Sequence, residues 1–275
     1  MPIKTYYWND NIQKKRPFFR PKLAKKKNNQ FFYGNAGDIF AKDLIKYIYG
    51  VDDLPTNEGG RVLLIGSIAH KIEDNDIICG IGTKMVPFSP SLNKNNLIFG
   101  LRGPLTYDFF KKQGFNVDDV KFLYDPGLLI GEVFSKKLTK KRGSKISFLP
   151  HYREKKEFLQ NPPKGMSIID IDNKPITVAK KILDSEVVYS SSLHGIIFSH
   201  ALGVPAVFVA PQTQEPQYKY EDYYLSVDLP YPKPLSSIHE ANFKSDLESL
   251  PNKTFTRKDF TFPTLSELKE LSICI

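Results

Sequence analysis

Polar residues follow a strongly apolar segment in the sequence VVYSSSLHGIIFSHALGVPAVFVA, which covers residues 187–210. Three serines come first and are followed by Leu-His-Gly, where a helical pattern begins. A helix start offers unpaired N–H groups and a positive dipole end, so it favours a bound anion. The alternative is that the serines cap the helix and the histidine packs in the core. The candidate site residues here are Ser191, Ser192, Leu193, His194 and Gly195.

A second candidate segment is GNAGD, at residues 34–38, which enters another predicted helix. Its small residues suit a backbone nest that holds a ligand oxygen. Asn35, Gly37 and Asp38 are the candidates in this segment. Asp38 is equally suited to be the N-cap of the helix.

Two arginines and another histidine also lie at predicted strand ends. Arg102 directly precedes a helix, where a cation is unfavourable for the helix dipole but a bidentate carboxylate or phosphate partner explains an arginine. The alternative is a structural ion pair with Asp108 or Asp125. His151 and Arg153 follow a different predicted strand. We expect all of these strand-end residues to line one cleft.

The elements that must position these residues alternate between strands and helices. Short continuous apolar runs predict strands buried on both faces, and amphipathic stretches between them predict helices. This alternation is typical of parallel sheets, which bind ligands beyond the carboxyl ends of their strands. The predicted strands cover residues 61–66, 77–82, 96–101, 120–125, 145–150, 166–171, 185–191 and 205–210, and the predicted helices cover residues 38–50, 103–114, 174–185 and 194–203.

The charged, apolar-poor segment SKKLTKKRGSK, at residues 135–145, separates two α/β units. We place these units at residues 31–135 and 145–235 and expect them to meet across a cleft. The remaining residues, 236–275, form a tail with one short helix near residues 264–272.

The positive charge of the chain is concentrated near its first residues. Residues 1–30 hold nine Lys or Arg and one Asp, which accounts for +8 of the net charge of +9. Aromatic residues are interleaved with these basic residues, so we interpret residues 1–30 as a basic aromatic arm. The arm fits an anionic membrane surface or a phosphate-bearing partner, or is merely a solubilising face. No nucleic-acid-binding motif accompanies the charge, so nucleic acid is not an expected partner.

Several classes of protein are disfavoured by composition. The two cysteines, Cys79 and Cys274, predict neither a disulfide framework nor a metal site. The chain has no apolar run near the ~20 residues of a membrane span, and no secretory signal pattern. We therefore expect a cytoplasmic protein. The absence of a His-Glu-x-x-His motif leads us to expect no catalytic metal.

Eight short motifs follow one another along residues 31–226: GNAGD, LLIGS, GIG, RGPLT, YDPGLL, FLPHY, SSLHGIIFSHALGVPAVFV and YKYEDYY. Together they resemble the polysaccharide pyruvyl transferase family. The resemblance implies a GT-B-like fold with two Rossmann-like domains. It also implies phosphoenolpyruvate as donor, without a further cofactor, and a pyruvate ketal formed on a sugar of a surface polysaccharide. Members of the family often carry arginine where this chain has Ser192.

The resemblance also implies roles for the candidate residues. The reaction needs clamps for two anionic groups and a proton-transferring residue near neutral pH, for which histidine is suited. His194 is the first candidate for this transfer and His151 the second. Arg102 and Arg153 are the candidate clamps, assisted by the helix-start N–H groups of residues 192–195.

Asn35 and Asp38 are then the candidates that hold the acceptor sugar, or Asp38 acts as the base on its hydroxyl group. The implied acceptor is a saccharide, free or linked to polyprenyl diphosphate at the inner face of the membrane. The basic arm is not part of the family pattern, and we expect it to make peripheral contact with the membrane if the acceptor is lipid-linked. Two alternatives remain open from the residues alone. One is a GT-B-type glycosyltransferase with a nucleotide-sugar donor, and the other is a non-catalytic protein that binds an anionic polymer.

Overall fold

The described residues form two sheets of parallel strands. The computed structural model describes residues 1–8, 31–139, 143–243, 245–246 and 249–275. The first sheet has the order β2-β1-β3-β4-β5 and consists of β1 (Ile3–Thr5), β2 (Asp53–Pro55), β3 (Val62–Leu63), β4 (Ile77–Cys79) and β5 (Leu97–Gly100). The second has the order β7-β6-β8-β9 and consists of β6 (Lys145–Leu149), β7 (Ser167–Ile168), β8 (Ser185–Ser190) and β9 (Ala206–Phe208).

Helices connect the strands, and local sequence sets their ends. The first helix starts after Asn35, whose side chain accepts a hydrogen bond from the Gly37 amide, and stops at Gly50, which has a left-handed φ of 71°. Proline occupies the first turn of two other helices. The helices are α1 (Ala36–Tyr49), α2 (Pro104–Lys112), α3 (Ile130–Val133), α4 (Lys155–Gln160), α5 (Pro175–Leu183), α6 (Leu193–Ala201), α7 (Tyr218–Ser226) and α8 (Leu265–Glu270).

This architecture confirms the predicted α/β class and fits two Rossmann-like units, whereas the GT-B arrangement stays a prediction. The strand predicted at residues 120–125 is wrong. Only a single bridge joins Phe122 to Gly100 there. The chain then turns away at Asp125, which caps a 3-10 turn at Pro126–Leu129.

The first residues of the chain form β1, which the sequence analysis missed. This strand pairs with β2 on one side and β3 on the other, and Ile3 has no exposed surface. Residues 1–8 therefore belong to the first sheet, and the prediction of a separate arm is wrong for them. The cluster of basic residues from Lys14 to Lys27 lies outside the described residues.

The first described range ends at Trp8 and the next begins at Phe31, and the rings of these two residues touch. Their ring centroids are 5.2 Å apart, and Tyr152 from the second unit lies 5.2 Å from Trp8 and 5.3 Å from Phe31. Residues 9–30 thus join two neighbouring anchor points within the fold.

The two sheets share one hydrophobic core. The largest cluster of buried apolar side chains contains Val62 and Ile77 from the first sheet together with Val188 and Ala206 from the second. Helix α1 packs against both α5 and α6, which belong to the second unit. The segment at residues 135–145 therefore separates two sheets but not two cores.

The tail at residues 236–275 returns to both sheets. Ser249 forms a bridge with Ala206 in β9, and Cys274 forms one with Ile3 in β1. The predicted short helix is confirmed as α8, which begins after the capping box of Thr264. The tail thus contributes to the packing of both units.

The position of β1 inside the sheet leads to a stability prediction. We expect Ile3→Ala to lower the free energy of unfolding by about 2–5 kcal/mol, because it leaves a cavity in the core. The neighbouring Lys4→Ala should change it by no more than about 0.5 kcal/mol, since that side chain is only half-buried. Urea denaturation measures both values. Equal small effects would contradict the assignment of β1 as a core strand.

Candidate active site

A cavity of about 370 Å³ lies where the carboxyl ends of strands from both sheets converge. Residues on its wall follow five different strands, as expected for parallel α/β sheets. These are Ser67 after β3, Lys84 after β4, His151 after β6, His194 after β8 and Glu215 after β9. The cavity is therefore assembled from segments that are far apart in the sequence.

Most of the predicted site residues meet at this cavity. The wall includes seven of them: Asn35, Asp38, His151, Arg153, Ser192, Leu193 and His194. Gly37, Arg102, Ser191 and Gly195 are also buried but lie outside the wall. The first group thus lies together at one cavity, the second group lies behind its wall, and the cleft between two domains stays a prediction.

His194 lies in the first turn of α6 and packs directly onto α1. A Cβ atom at Gly37 would lie 1.8 Å from the Nδ1 atom of His194, so only glycine allows the imidazole to occupy this position. The Nε2 atom of His194 is buried and has no hydrogen-bond partner among the described residues. Burial, with the charges of Arg102 and Lys219, lowers the pKa of His194 to about 3. The imidazole is therefore neutral at physiological pH.

His151 is the second histidine on the wall, and Ser191 fixes its backbone. The His151 amide donates to the Ser191 hydroxyl at 2.8 Å, and that hydroxyl donates to Glu154 at 2.7 Å. Burial and the charge of Lys219 lower the pKa of His151 to about 3. Its Nε2 contact with Glu215 at 3.7 Å is therefore made by a neutral ring. Burial thus holds the pKa of both candidate histidines below the neutral range, and their role in proton transfer stays a prediction.

Asp38 is the carboxyl group on the wall that does titrate near neutrality. Burial raises its pKa to about 7, although the positive charges of Lys84 and Lys219 oppose the shift. Asp38 lies in the first turn of α1, whereas the N-cap of that helix is Asn35. The alternative of Asp38 as the N-cap of α1 is therefore wrong, and the Asp38 side chain lines the cavity instead.

The loop that leads into α1 is fixed by Asp172 from the second unit. Its carboxylate accepts hydrogen bonds from the amides of Phe32, Tyr33 and Gly34 at 2.8–2.9 Å, and it pairs with Lys155. A carboxylate of the protein itself thus fills this nest of backbone amides. The contact positions Asn35 and the first turn of α1 at the cavity.

Arg102 is fully buried behind the wall and paired with Asp222 of α7. The Arg102 Nε atom lies 3.1 Å from Asp222 Oδ2, and a terminal nitrogen donates to Ser67 at 2.7 Å. A Cβ atom at Gly82 would lie 1.9 Å from the guanidinium carbon, so the GIG motif makes room for this arginine. A carboxylate partner was foreseen, but Asp108 and Asp125 were the wrong candidates. Arg102 therefore supports the wall through Ser67 and does not line the cavity.

Several residues on the wall were missed by the sequence analysis. Two signals were available: Lys84 closely follows the GIG motif after a strand, and Glu215 and Lys219 stand four apart at the start of a helix. Neither signal shows that the side chains converge. The missed residues are Trp8, Ser67, Ile68, His70, Lys71, Lys84, Tyr152, Glu215 and Lys219.

Glu215 is held by three cations on the wall. Its oxygens lie 2.6 Å from Lys219 Nζ, 2.9 Å from a terminal nitrogen of Arg153 and 3.6 Å from Lys84 Nζ. Burial alone would raise the pKa of Glu215, but Lys219, through its charge and its hydrogen bond, and the charge of Lys84 lower it to about 2. Burial lowers the pKa of Lys219 to about 8, against the effect of Glu215. The wall therefore carries more positive than negative charge.

The described residues contain neither a cluster of potential metal ligands nor a membrane-spanning helix. Within the described ranges, no three His, Cys, Asp or Glu side chains are grouped so that they could hold a metal ion. No helix in the same ranges has the length and apolar character needed to cross a membrane.

The fold and the cavity define an α/β protein with a histidine-lined, predominantly cationic site at the ends of parallel strands. Residues 2–213 match the family model for polysaccharide pyruvyl transferase, and the chain belongs to that family. Membership of this family does not favour the alternative function, a glycosyltransferase with a nucleotide-sugar donor.

Two similar proteins have no assigned function. An uncharacterised protein of Acanthamoeba polyphaga mimivirus is 30% identical over 186 residues, a match that covers 64% of this chain and 63% of that protein. The crystal structure of an uncharacterised protein from Klebsiella pneumoniae subsp. pneumoniae NTUH-K2044 aligns with a TM-score of 0.44 and 18% identity. That alignment covers 74% of this chain and 89% of the other.

The pKa of Asp38 leads to a pH prediction. Between the ordinary pKa of 3.8 and the folded value of about 7, the folded protein holds a proton that the unfolded chain has lost. The contribution of Asp38 to stability therefore falls as pH rises through this window. We expect Asp38→Asn to remove that fall, measured as the free energy of unfolding against pH. Asp119→Asn is the matched control, because this exposed side chain should leave the profile unchanged. A wild-type profile that runs parallel to that of Asp38→Asn would contradict the prediction.

Proposed function

We propose that the protein transfers a pyruvyl group from phosphoenolpyruvate to two hydroxyl groups of a saccharide and forms a pyruvate ketal. The observation that carries the proposal is the cavity itself. Cationic side chains, neutral histidines and a protonated carboxyl group surround one space at the strand ends. Membership of the polysaccharide pyruvyl transferase family supports pyruvyl transfer to a polysaccharide.

The proposed reaction has a defined balance of bonds and protons. Two C–O bonds form between C2 of the donor and the sugar oxygens, and the bond from C2 to the phosphate oxygen breaks. Of the two protons that the sugar hydroxyls lose, one corresponds to the proton that the methylene carbon gains to become a methyl group. The other leaves on the released phosphate. The site must therefore accept protons from oxygen and supply one to carbon.

The protonation states on the wall suggest which residue performs each task. His194 has an unpartnered Nε2 atom, and its role is to accept a proton from a sugar hydroxyl once an anionic donor beside it favours the charged imidazole. Asp38, with a pKa of about 7, is suited to deliver one to the methylene carbon. Both side chains line the cavity, and His194 contacts Gly37, the residue before Asp38. His151 is a second neutral base, and Asn35 is available to hold the acceptor.

The cations on the wall support an anionic donor. Arg153, Lys84, Lys219 and Lys71 reach the cavity from four different segments. Charged groups that are fixed in place before the donor binds stabilise developing negative charge without reorganisation. These four cations take the role of anion clamp that was expected of Arg102, because Arg102 is paired with Asp222. Ser192 lies on the same wall and leaves room there for a substrate group.

We expect phosphoenolpyruvate and a hydroxyl-bearing oligosaccharide to give phosphate and a ketal product, followed by phosphate release and product mass. His194→Ala should lower turnover at least about 100-fold, the usual range for loss of a general base. His239→Ala is the control, since His239 is exposed and outside the cavity. Full turnover by a folded His194→Ala protein would exclude the proposed role. A product formed only from a nucleotide sugar would exclude the proposed donor.

We further propose that the protein works at the inner face of the cell membrane on an acceptor linked to polyprenyl diphosphate. Residues 9–30 contain eight Lys or Arg against one Asp, together with Phe18 and Phe19. Each Lys or Arg near an anionic membrane surface contributes about 1 kcal/mol of attraction. The segment begins and ends at Trp8 and Phe31, beside the cavity wall, so it would bring such a surface close to the site.

Deletion of residues 9–30, with a short Gly-Ser linker between Trp8 and Phe31, tests this proposal. The linker preserves β1, which removal of residues 1–30 would destroy. We expect binding to anionic vesicles to fall strongly, while the melting temperature and turnover of a soluble acceptor stay near those of the wild type. Neutral vesicles are the control, because they lack the charge that the segment would recognise. Unchanged binding to anionic vesicles would refute the membrane role.

A further inference from the structure

Glu215 is the one buried side chain of residues 211–217, which lie in the loop between β9 and α7. The glutamines of this segment, at positions 212, 214 and 217, are exposed. The Glu215 side chain instead points inward and lines the cavity. The loop therefore places a single carboxylate inside the site.

The groups around this carboxylate come from separate parts of the fold. Lys84 follows β4, His151 and Arg153 follow β6, and Lys219 lies in α7. One Glu215 oxygen lies near both lysines, at 2.6 and 3.6 Å, and the other lies 2.9 Å from Arg153 and 3.7 Å from His151. Four side chains from three segments thus converge on one small anion.

The charges at this point do not balance. Three cations surround one carboxylate, so the cluster retains an excess of positive charge. Arg153 and Lys84 remain partly exposed, with 41% and 30% of their side-chain surface accessible, and are open to the cavity side. The excess of positive charge and the exposure of these two cations fit a site that receives a more highly charged anion than Glu215.

We propose that Lys84, Arg153 and Lys219 form a subsite for the phosphate group of the donor, and that Glu215 occupies this subsite until the donor displaces it. The identity of the donor rests on the proposed function, whereas the subsite itself rests on the contacts of Glu215. A phosphate dianion carries more charge than a carboxylate and offers more acceptor oxygens, so it pairs more strongly with the same cations.

The loop is anchored at both ends in a way that permits this exchange. At its start the Gln212 amide donates to Glu154, and just after its end the Tyr218 hydroxyl donates to the Leu105 carbonyl. Between these anchors the loop is at the surface, so Glu215 can turn out to water while its neighbours keep their contacts. Displacement then requires a local change and leaves both sheets in place.

The test is calorimetric titration of the full chain with inorganic phosphate. If Glu215 fills the subsite about nine-tenths of the time, Glu215→Gln should tighten the apparent Kd about tenfold, because the internal competitor is removed. Glu221→Gln is the matched control. It removes the same charge from α7 at a residue outside the cavity wall, and the Kd should stay near that of the wild type. Lys219→Met should weaken binding in either background.

Glu215→Asp gives a second measurement if Glu215→Gln does not fold. It keeps the charge but shortens the reach, so phosphate binding should be tighter than in the wild type and weaker than in Glu215→Gln. Phosphate binding that is unchanged or weaker in these variants would overturn the displacement. Binding that is insensitive to Lys219→Met would overturn the subsite. Because phosphate binding needs no turnover, failure to form a ketal would instead count against the proposed function.

Discussion

The buried ion pair between Arg102 and Asp222 is the interaction on which the geometry of the cavity depends. It joins the end of β5 to α7, so it ties an element of each unit at the back of the site. Asp222 also accepts hydrogen bonds from the amide and hydroxyl of Thr106. A buried ion pair adds little net stability, but loss of one partner costs about 3–5 kcal/mol. The pair therefore determines how the two units are positioned relative to each other and adds little to the stability of the protein.

Burial determines which of the histidine and carboxyl groups in the cavity carry a proton near neutral pH. In the same poorly hydrated space, the charged forms of imidazole and carboxyl groups are both disfavoured. Near pH 7 the two histidines are therefore neutral, while Asp38 is protonated in a substantial fraction of the molecules. The same burial thus lowers the basicity of the imidazoles and raises that of the carboxyl group. Opposite shifts of neighbouring groups are the pattern from which acid and base can be assigned.

Local sequence patterns predicted the elements whose formation depends on local interactions. Continuous apolar runs located seven of the nine strands in the described residues, and their ends located His151 and His194. The three-residue strand β1 is too short to give a periodic signal. The partner of Arg102 stands 120 positions away, and only the packed fold brings it close. The pKa of Asp38 likewise depends on burial by several segments, which no single stretch of sequence records.

The contact between Trp8 and Phe31 also changes how the first residues are understood. Because the two ends of the intervening segment meet, β1 is in effect a short peptide ligand that the chain supplies to its own sheet. The slot between β2 and β3 determines where this peptide binds. The covalent link sets only its effective concentration.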